Sequence, residues 1–546
     1  VLLAPFGLAR ADPVDPPPFA GDAYADYLVS RYAEATNDPV VALQRYARSL
    51  EQNPAQPDTI ARAIAIALGV GEVAAAAKIS AGARAVGINE PWGRLCEAAL
   101  ALATNQRGHD VIELLGPEPD ANQEPSLIAV HRTLHAAARA RDHRLALALS
   151  VLKVEGDGET LAQLQRGLIY EAFNRGKDAA AAYRSIPVGA VGAREATLAA
   201  GAQLERRERQ QEALALYRER DPKGRDPQIA AAAARAREAV NPPPPADAVK
   251  GAALVLTALS AALLSEDQPE AAGPVAALAL ALDSGATRAH LARAQSLIKN
   301  GQGEAAIRAL AFVAASDPYY PTAQVETGRQ HRAAGRLPAA LAAMQLAYNA
   351  RPDGRTTLAL AEIHLAMGDH AKAEALLSQH IAAAEAEGDA KSWYVYFLRG
   401  AAFERLKRWP EAEADFNIAL SVAPNQPEVL NALGYGWVDR GQNLEEGLAL
   451  IRKALAARPS NSSFIDSLGW ALFRLGRFEQ AVEPLEVAAS LAPGDVEIND
   501  HLGDVYWRLG RRSEARHQWR HAAALCKDPA QKKAIEAKIA DGLPPP

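Results

Sequence analysis

Cysteine is almost missing from this chain: Cys96 and Cys526 are the only two in 546 residues. Two thiols so widely separated supply neither a disulfide framework nor a zinc-ligand set, and both are expected to sit buried on helix faces. β-Branched runs are scarce, and no useful length alternates apolar with polar residues, which excludes a sheet. Charge of one sign is lacking too. A net charge of −6 gives no global attraction to nucleic acid or anionic lipid. No apolar run reaches the roughly 18–20 residues of a membrane span; the nearest, GAALVLTALSAALL from Gly251, has 14.

Catalytic signatures are absent as well. There is no Gly-rich phosphate loop ending in Lys-Ser/Thr, no HExxH and no Gly-x-Ser-x-Gly. His131 and His135 are spaced i,i+4, but no acidic or cysteine partner stands near them in sequence, so they read as helix-surface residues. No catalytic residue, cofactor or metal ligand is assigned. An enzyme would need a catalytic block that no segment supplies.

What the chain has is alanine, leucine and a period. Hydrophobic residues make up 49% of it, much of that alanine, and Ala and Leu are the strongest helix formers. The phrases NALGYGWVDRGQN from Asn431, DSLGWALFRLGRF from Asp466 and DHLGDVYWRLGRR from Asp500 restate one pattern. Gly434, Gly469 and Gly503 recur at intervals of 35 and 34 residues, as do Pro424, Pro459 and Pro493. Each unit predicts a helix carrying Leu-Gly and an aromatic, a Gly turn, and a second helix carrying Ala, a large residue, Ala and then Pro. Small residues let the two helices approach, and large ones fill the space between units. The last unit has Lys527 where Pro is expected, as a terminal cap should.

These spacings resemble the tetratricopeptide repeat (TPR) family, over about seven units between Leu291 and Cys526. The resemblance implies an all-α, right-handed superhelical solenoid of helix-turn-helix repeats whose first helices line a concave groove. The block from about Tyr394 to Gly542 is similar to exported TPR proteins of Gram-negative bacteria. Some of those are lipoprotein adaptors that present cell-wall hydrolases to periplasmic carboxyl-terminal processing proteases.

Fainter units of the same order occupy 22–240, with Tyr46, Gly167, Tyr183, Gly201 and Tyr217 in place. NPPPPAD at 241–247 cannot be helical and makes a stiff connection that either separates two solenoid halves, the preferred reading, or forms one rigid loop in a continuous coil; the second half is 248–540 with a tail at 541–546. ERRER at Glu205 reads as a solvated helix face of mixed sign. Residues 1–11 look like the end of a secretory signal, with Ala9-Arg10-Ala11 as a small-x-small site, followed by a Pro-rich linker at 12–21. Export to the periplasm is the expectation, with a cytoplasmic location the alternative. No cysteine follows the apolar stretch, so a bacterial lipoprotein anchor is not expected.

The functional expectation is a non-catalytic scaffold that grips a protein or peptide partner, such as a periplasmic protease and its substrates. The alternatives are a cytoplasmic scaffold, an assembly factor for envelope complexes and, from another class, a TPR-linked enzyme. On the first helices, opposite the packing stripe, the groove candidates stand one turn apart: Asn431, Tyr435 and Asp439; Asp466, Trp470 and Arg474; Asp500, Asp504 and Arg508. Aromatics and arginines are the usual interface anchors. Trp470 either projects into the groove or fills the seam between units.

Overall fold

The computed structural model describes residues 21–36, 38–120, 122–152, 158–387 and 391–544. Residues 1–20, which hold the segment read as a signal remnant and all but the last residue of the linker read as 12–21, lie outside the described residues, and Gly21 itself begins the first helix. Among the described residues all regular structure is α-helical and there is no strand. The chain divides into two compact units, Val1–Arg351 and Pro352–Pro546.

The first unit opens with the hairpins α1 (Gly21–Ala35) and α2 (Pro39–Gln52), α3 (Pro57–Val70) and α4 (Val73–Ala85), and α5 (Pro91–Ala103) and α6 (Gly108–Leu115). It continues with α7 (Pro125–Arg141) and α8 (Leu145–Val151), α9 (Glu159–Ala172) and α10 (Gly176–Arg184), and α11 (Ala193–Glu205) and α12 (Gln210–Arg220). A single helix, α13 (Pro227–Arg237), leads into the proline stretch. Three more hairpins follow: α14 (Ala248–Ser265) with α15 (Pro269–Leu282), α16 (Thr287–Lys299) with α17 (Gly303–Leu310), and α18 (Tyr320–Ala333) with α19 (Leu337–Ala350).

The second unit pairs α20 (Gly354–Ala366) with α21 (His370–Glu387), α22 (Trp393–Arg405) with α23 (Trp409–Val422), and α24 (Pro427–Asp439) with α25 (Leu444–Ala457). It ends with α26 (Ser462–Arg474) and α27 (Phe478–Leu491), α28 (Val496–Arg508) and α29 (Arg512–Leu525), and a lone α30 (Pro529–Asp541).

Local chemistry sets the helix boundaries. Many first helices start with a proline in the first two positions or behind an Asp or Asn cap, although α9, α11, α16 and α22 have neither. Asp226, Asp495 and Asp528 each accept two backbone N–H groups of the next turn, and Asn461 accepts one. The turn inside a hairpin needs one left-handed residue, which Gly335, Gly476 and Gly510 supply at φ 73°, 74° and 79°.

Six of the hairpins share one packing contact. A glycine on the first helix faces a large side chain sixteen residues later on the second: Gly167 and Tyr183, Gly201 and Tyr217, Gly328 and Met344, Gly400 and Phe416, Gly469 and Leu485, Gly503 and Trp519. A Cβ at Gly469 would lie 2.4 Å from Leu485 Cγ, and one at Gly503 2.5 Å from Trp519. The glycine is therefore the space its partner fills. Leu485 and Trp519 are fully buried in one core cluster of the second unit.

In the first unit the contacts go beyond neighbours. Helix α14 packs on α7 and α9, and α15 packs on α3 and α5, so this hairpin covers the first helices of the preceding repeats. The proline stretch 241–247 is accordingly internal to the first unit, joining α13 to a hairpin that returns onto earlier helices. The apolar run from Gly251 belongs to an 18-residue helix, longer than the 14 residues read from sequence. By length and composition this helix could cross a membrane, but half of its apolar window is buried inside the unit.

The ERRER segment also differs from expectation. Glu205 is buried, accepting from Tyr217 (2.6 Å) and from Arg235 (2.8 Å). Glu171 repeats the arrangement with Tyr183 (3.0 Å) and Arg206. One carboxylate thus ties a first helix to its own second helix and to a cation further along the chain. Burial raises the Glu171 pKa, against the pull of Arg206.

Replacing Gly469 with Leu should overpack this contact and cost roughly 1–3 kcal/mol. The unfolding midpoint in urea should fall, and truncating Leu485 to Ala in the same chain should recover part of the loss. An unchanged midpoint would contradict the packing role.

Candidate functional site

In the second unit, helices pack on their sequence neighbours, and successive first helices also touch: α20 on α22, α24 on α26, α26 on α28. The first-helix row therefore forms one wall, and it carries the residues singled out from the sequence.

Most of them are paired with one another or with groups nearby. Asp466 is buried and accepts a hydrogen bond from His501 Nδ1 on α28, at 3.0 Å. The Trp470 ring stacks on His501, with centroids 4.0 Å apart, and on Phe473 at 4.9 Å. Half-buried Trp470 thus closes the seam between α26 and α28, while Arg474 stands 5.9 Å above its ring. Arg474 also donates to the backbone carbonyl of Asp439 and lies 3.8 Å from its carboxylate.

Tyr435 spans further. Its hydroxyl donates to Glu497 at 2.6 Å, from α24 to α28, across the whole width of α26. Burial and the adjacent Glu497 carboxylate keep the phenol protonated, raising its pKa. At the end of the row, Lys538 of α30 donates to Asp500 (2.8 Å) and to both carboxylate oxygens of Asp504 (2.9 Å). Asp504 also accepts from the indole N–H of Trp519 at 2.9 Å, and burial raises its pKa despite the lysine. Arg508 donates to the Pro544 carbonyl at 2.7 Å.

Three polar atoms of this wall are buried without a hydrogen-bond partner in the protein: Asn431 Oδ1, Trp470 Nε1 and Asp500 Oδ1. They lie on α24, α26 and α28, one per first helix. A buried polar group left unmatched costs about 1–3 kcal/mol, so each favours an incoming donor or acceptor.

His501, Glu497, Phe473 and Lys538 belong to the site but were not singled out from the sequence. One signal was available: His501 follows Asp466 by 35 residues, one repeat period. His501 is not built for proton transfer. Burial opposes its charge, yet Asp466, with Glu497 and Asp504 behind it, raises its pKa to about 9. It is a structural cation between two helices. Elsewhere, His131 is buried rather than on the helix surface as its spacing suggested; it meets half-buried His135 edge to face at 5.9 Å, and both have lowered pKa values because of burial. Among the described residues no group of three or more His, Cys, Asp and Glu side chains is placed to hold a metal ion. Cys96 and Cys526 are both free and buried.

Comparison with known proteins agrees with the repeat geometry. Residues 291–355, 358–427 and 438–496 match the family model described as tetratricopeptide repeat. A stretch of 97 residues, 18% of the chain, is 30% identical to the TPR repeat-containing protein PA4667 of Pseudomonas aeruginosa, and the match spans 16% of that relative. Among solved structures, similarity extends to a tetratricopeptide repeat protein from Parabacteroides merdae, at 15% identity and TM-score 0.39, over 47% of this chain and 99% of that one. The APC/C hetero-tetramer Cut9-Hcn1 is similar at 13% identity and TM-score 0.41, over 96% of this chain and 97% of that one. MamA from Desulfovibrio magneticus RS-1 matches at 19% identity and TM-score 0.27, over 32% of this chain and 94% of that one.

The Asp466–His501 pair yields a pH dependence with a definite sign. A pKa raised in the folded state stabilises fully below the unfolded value of about 6.5, and that contribution fades as pH climbs toward the folded value. The second unit should lose stability between about pH 6.5 and pH 9. His501→Gln should flatten that slope, read from urea midpoints across the range. A wild-type profile that rises over the interval would contradict the pairing.

Proposed function

Because the chain is a tetratricopeptide-repeat protein, we propose that it is a non-catalytic scaffold of the bacterial envelope, gripping a protein partner on the first-helix wall of its second unit. The observation that carries this reading is the row of buried, unmatched polar atoms on Asn431, Trp470 and Asp500, set among aromatics and charges. A wall whose only task was to pack repeats together would be apolar, or its polar atoms would be satisfied internally. An extended segment carries N–H and C=O groups at regular intervals, and this row offers acceptors at either end with an indole donor between them.

The partner class follows from the resemblance of the Tyr394–Gly542 block to exported adaptors. The proposed role is to bring substrate proteins to a periplasmic carboxyl-terminal processing protease. The second reading, an assembly factor for envelope complexes, uses the same wall and differs only in what is presented.

Trp470→Ala decides whether the wall binds. The variant should keep its helical circular dichroism but lose at least about tenfold in affinity for the partner recovered from envelope fractions, as expected for an aromatic anchor. Equal loss of helicity and binding would make Trp470 a packing residue alone. Reproducible hydrolase or transferase turnover by the purified chain, abolished by a point substitution, would overturn the non-catalytic reading.

A further inference from the structure

We propose that the first unit holds a second, independent docking site, and that it takes the apolar stripe of an amphipathic partner helix rich in alanine and leucine. The site is a cavity of about 1220 Å³ between α2, α3 and α4 on one side and α16 and α17 on the other. Val40, Leu43, Leu50, Ile60, Ile79 and Phe312 supply its apolar surface. Two of these are unusually open for their size: Phe312 is 70% exposed and Val40 49%.

The molecule itself indicates what this surface accepts. Leu43 and Ile60 belong to the same core cluster as Val275, Leu278 and Leu282 of α15, and Leu50 and Ile79 pack against that cluster. The floor that seats α15 therefore runs on into the cavity without a break. Its established occupant is a helix of sequence PEAAGPVAALALAL, small side chains alternating with branched aliphatic ones. The open continuation has the same lining and should take the same chemistry from outside.

Charge at the mouth favours a helix over an acyl anion. Lys78 and Arg308 stand exposed there, but so do Glu51 and Glu72. A fatty carboxylate would call for an excess of positive charge, whereas a helix flanked by residues of both signs matches a mixed rim. Arg293 fixes the two walls: from α16 it donates to the Val70 carbonyl at the C-terminal end of α3. Its Nε–H is buried with no acceptor in the protein, and so offers a donor to an incoming carbonyl or carboxamide.

The probe is a fluorescein-labelled peptide of about 18 residues, five helical turns, with an Ala/Leu stripe and a Glu/Lys polar face. Anisotropy titration against the full chain should show saturable binding. Val40→Asp and Phe312→Asp alter exposed side chains and should leave the melting profile intact, yet each should weaken binding at least about tenfold. Trp470→Ala should not change it, which separates this site from the wall of the second unit. Absence of saturable binding, or binding at the wild-type level by either Asp variant, would overturn the proposal. So would stoichiometric displacement of the peptide by dodecanoate, which marks an acyl site. A dimer of the chain that Phe312→Asp dissociates would also overturn it, by making a second copy the occupant.

Discussion

The structure depends on one contact repeated along the chain: a glycine on a first helix receiving a large side chain from the second helix, sixteen residues on. With a Cβ in the way the two backbones must separate by a noticeable fraction of an ångström, because the substituents that would collide are buried and close-packed. That contact fixes the spacing inside a hairpin. The left-handed turn residue fixes its length, and together they fix the period. Gly434 shows the rule under variation. Its unit has one more residue in the turn, and the role passes to the Gly447 carbonyl, Ile451 and Leu450.

Given equal bricks, the two units treat their first-helix walls differently, and the proposed function rests on that difference. The first unit covers α3, α5, α7 and α9 with its own α14 and α15, an apolar hairpin on an apolar wall. The second leaves its wall to a polar and aromatic network: Tyr435 with Glu497, Asp466 with His501 under Trp470, Asp500 and Asp504 with Lys538. Such a network holds successive repeats in register and still presents hydrogen-bonding atoms. It combines stiffness with a surface chemistry suited to another polypeptide.

Legibility in the sequence tracked the physics of each feature. The seven hairpins from α16 to α29 could be read because glycine and proline are the residues their turns and close approaches require. The same left-handed turn exists earlier, but apart from Gly71 it is adopted there by Asn105, His143, Asn174, Glu208 and Asp267, a substitution that Lys407 makes once among the later seven. Asn and Asp tolerate that conformation, and the glycine signal disappears with it. The return of α14 and α15 onto earlier helices was not legible, since nothing local encodes a contact between residues so far apart in sequence. The same holds for Glu205: ERRER looks solvated until Tyr217 and Arg235 converge on it. At the candidate site, the nine residues read from spacing do lie on successive first helices. Periodicity could not show that Asp466 and Arg474 would be engaged by neighbours within the protein.

The central claim is that the first-helix wall of the second unit is where another protein is held. Site-specific photocrosslinking in cells tests it most directly, with benzoylphenylalanine placed at Asp439 on that wall or at Lys453 on the exposed side of α25; both positions are exposed. The account predicts a discrete crosslinked protein from position 439 and none from 453. Equal labelling from both positions, or none from 439, would contradict it.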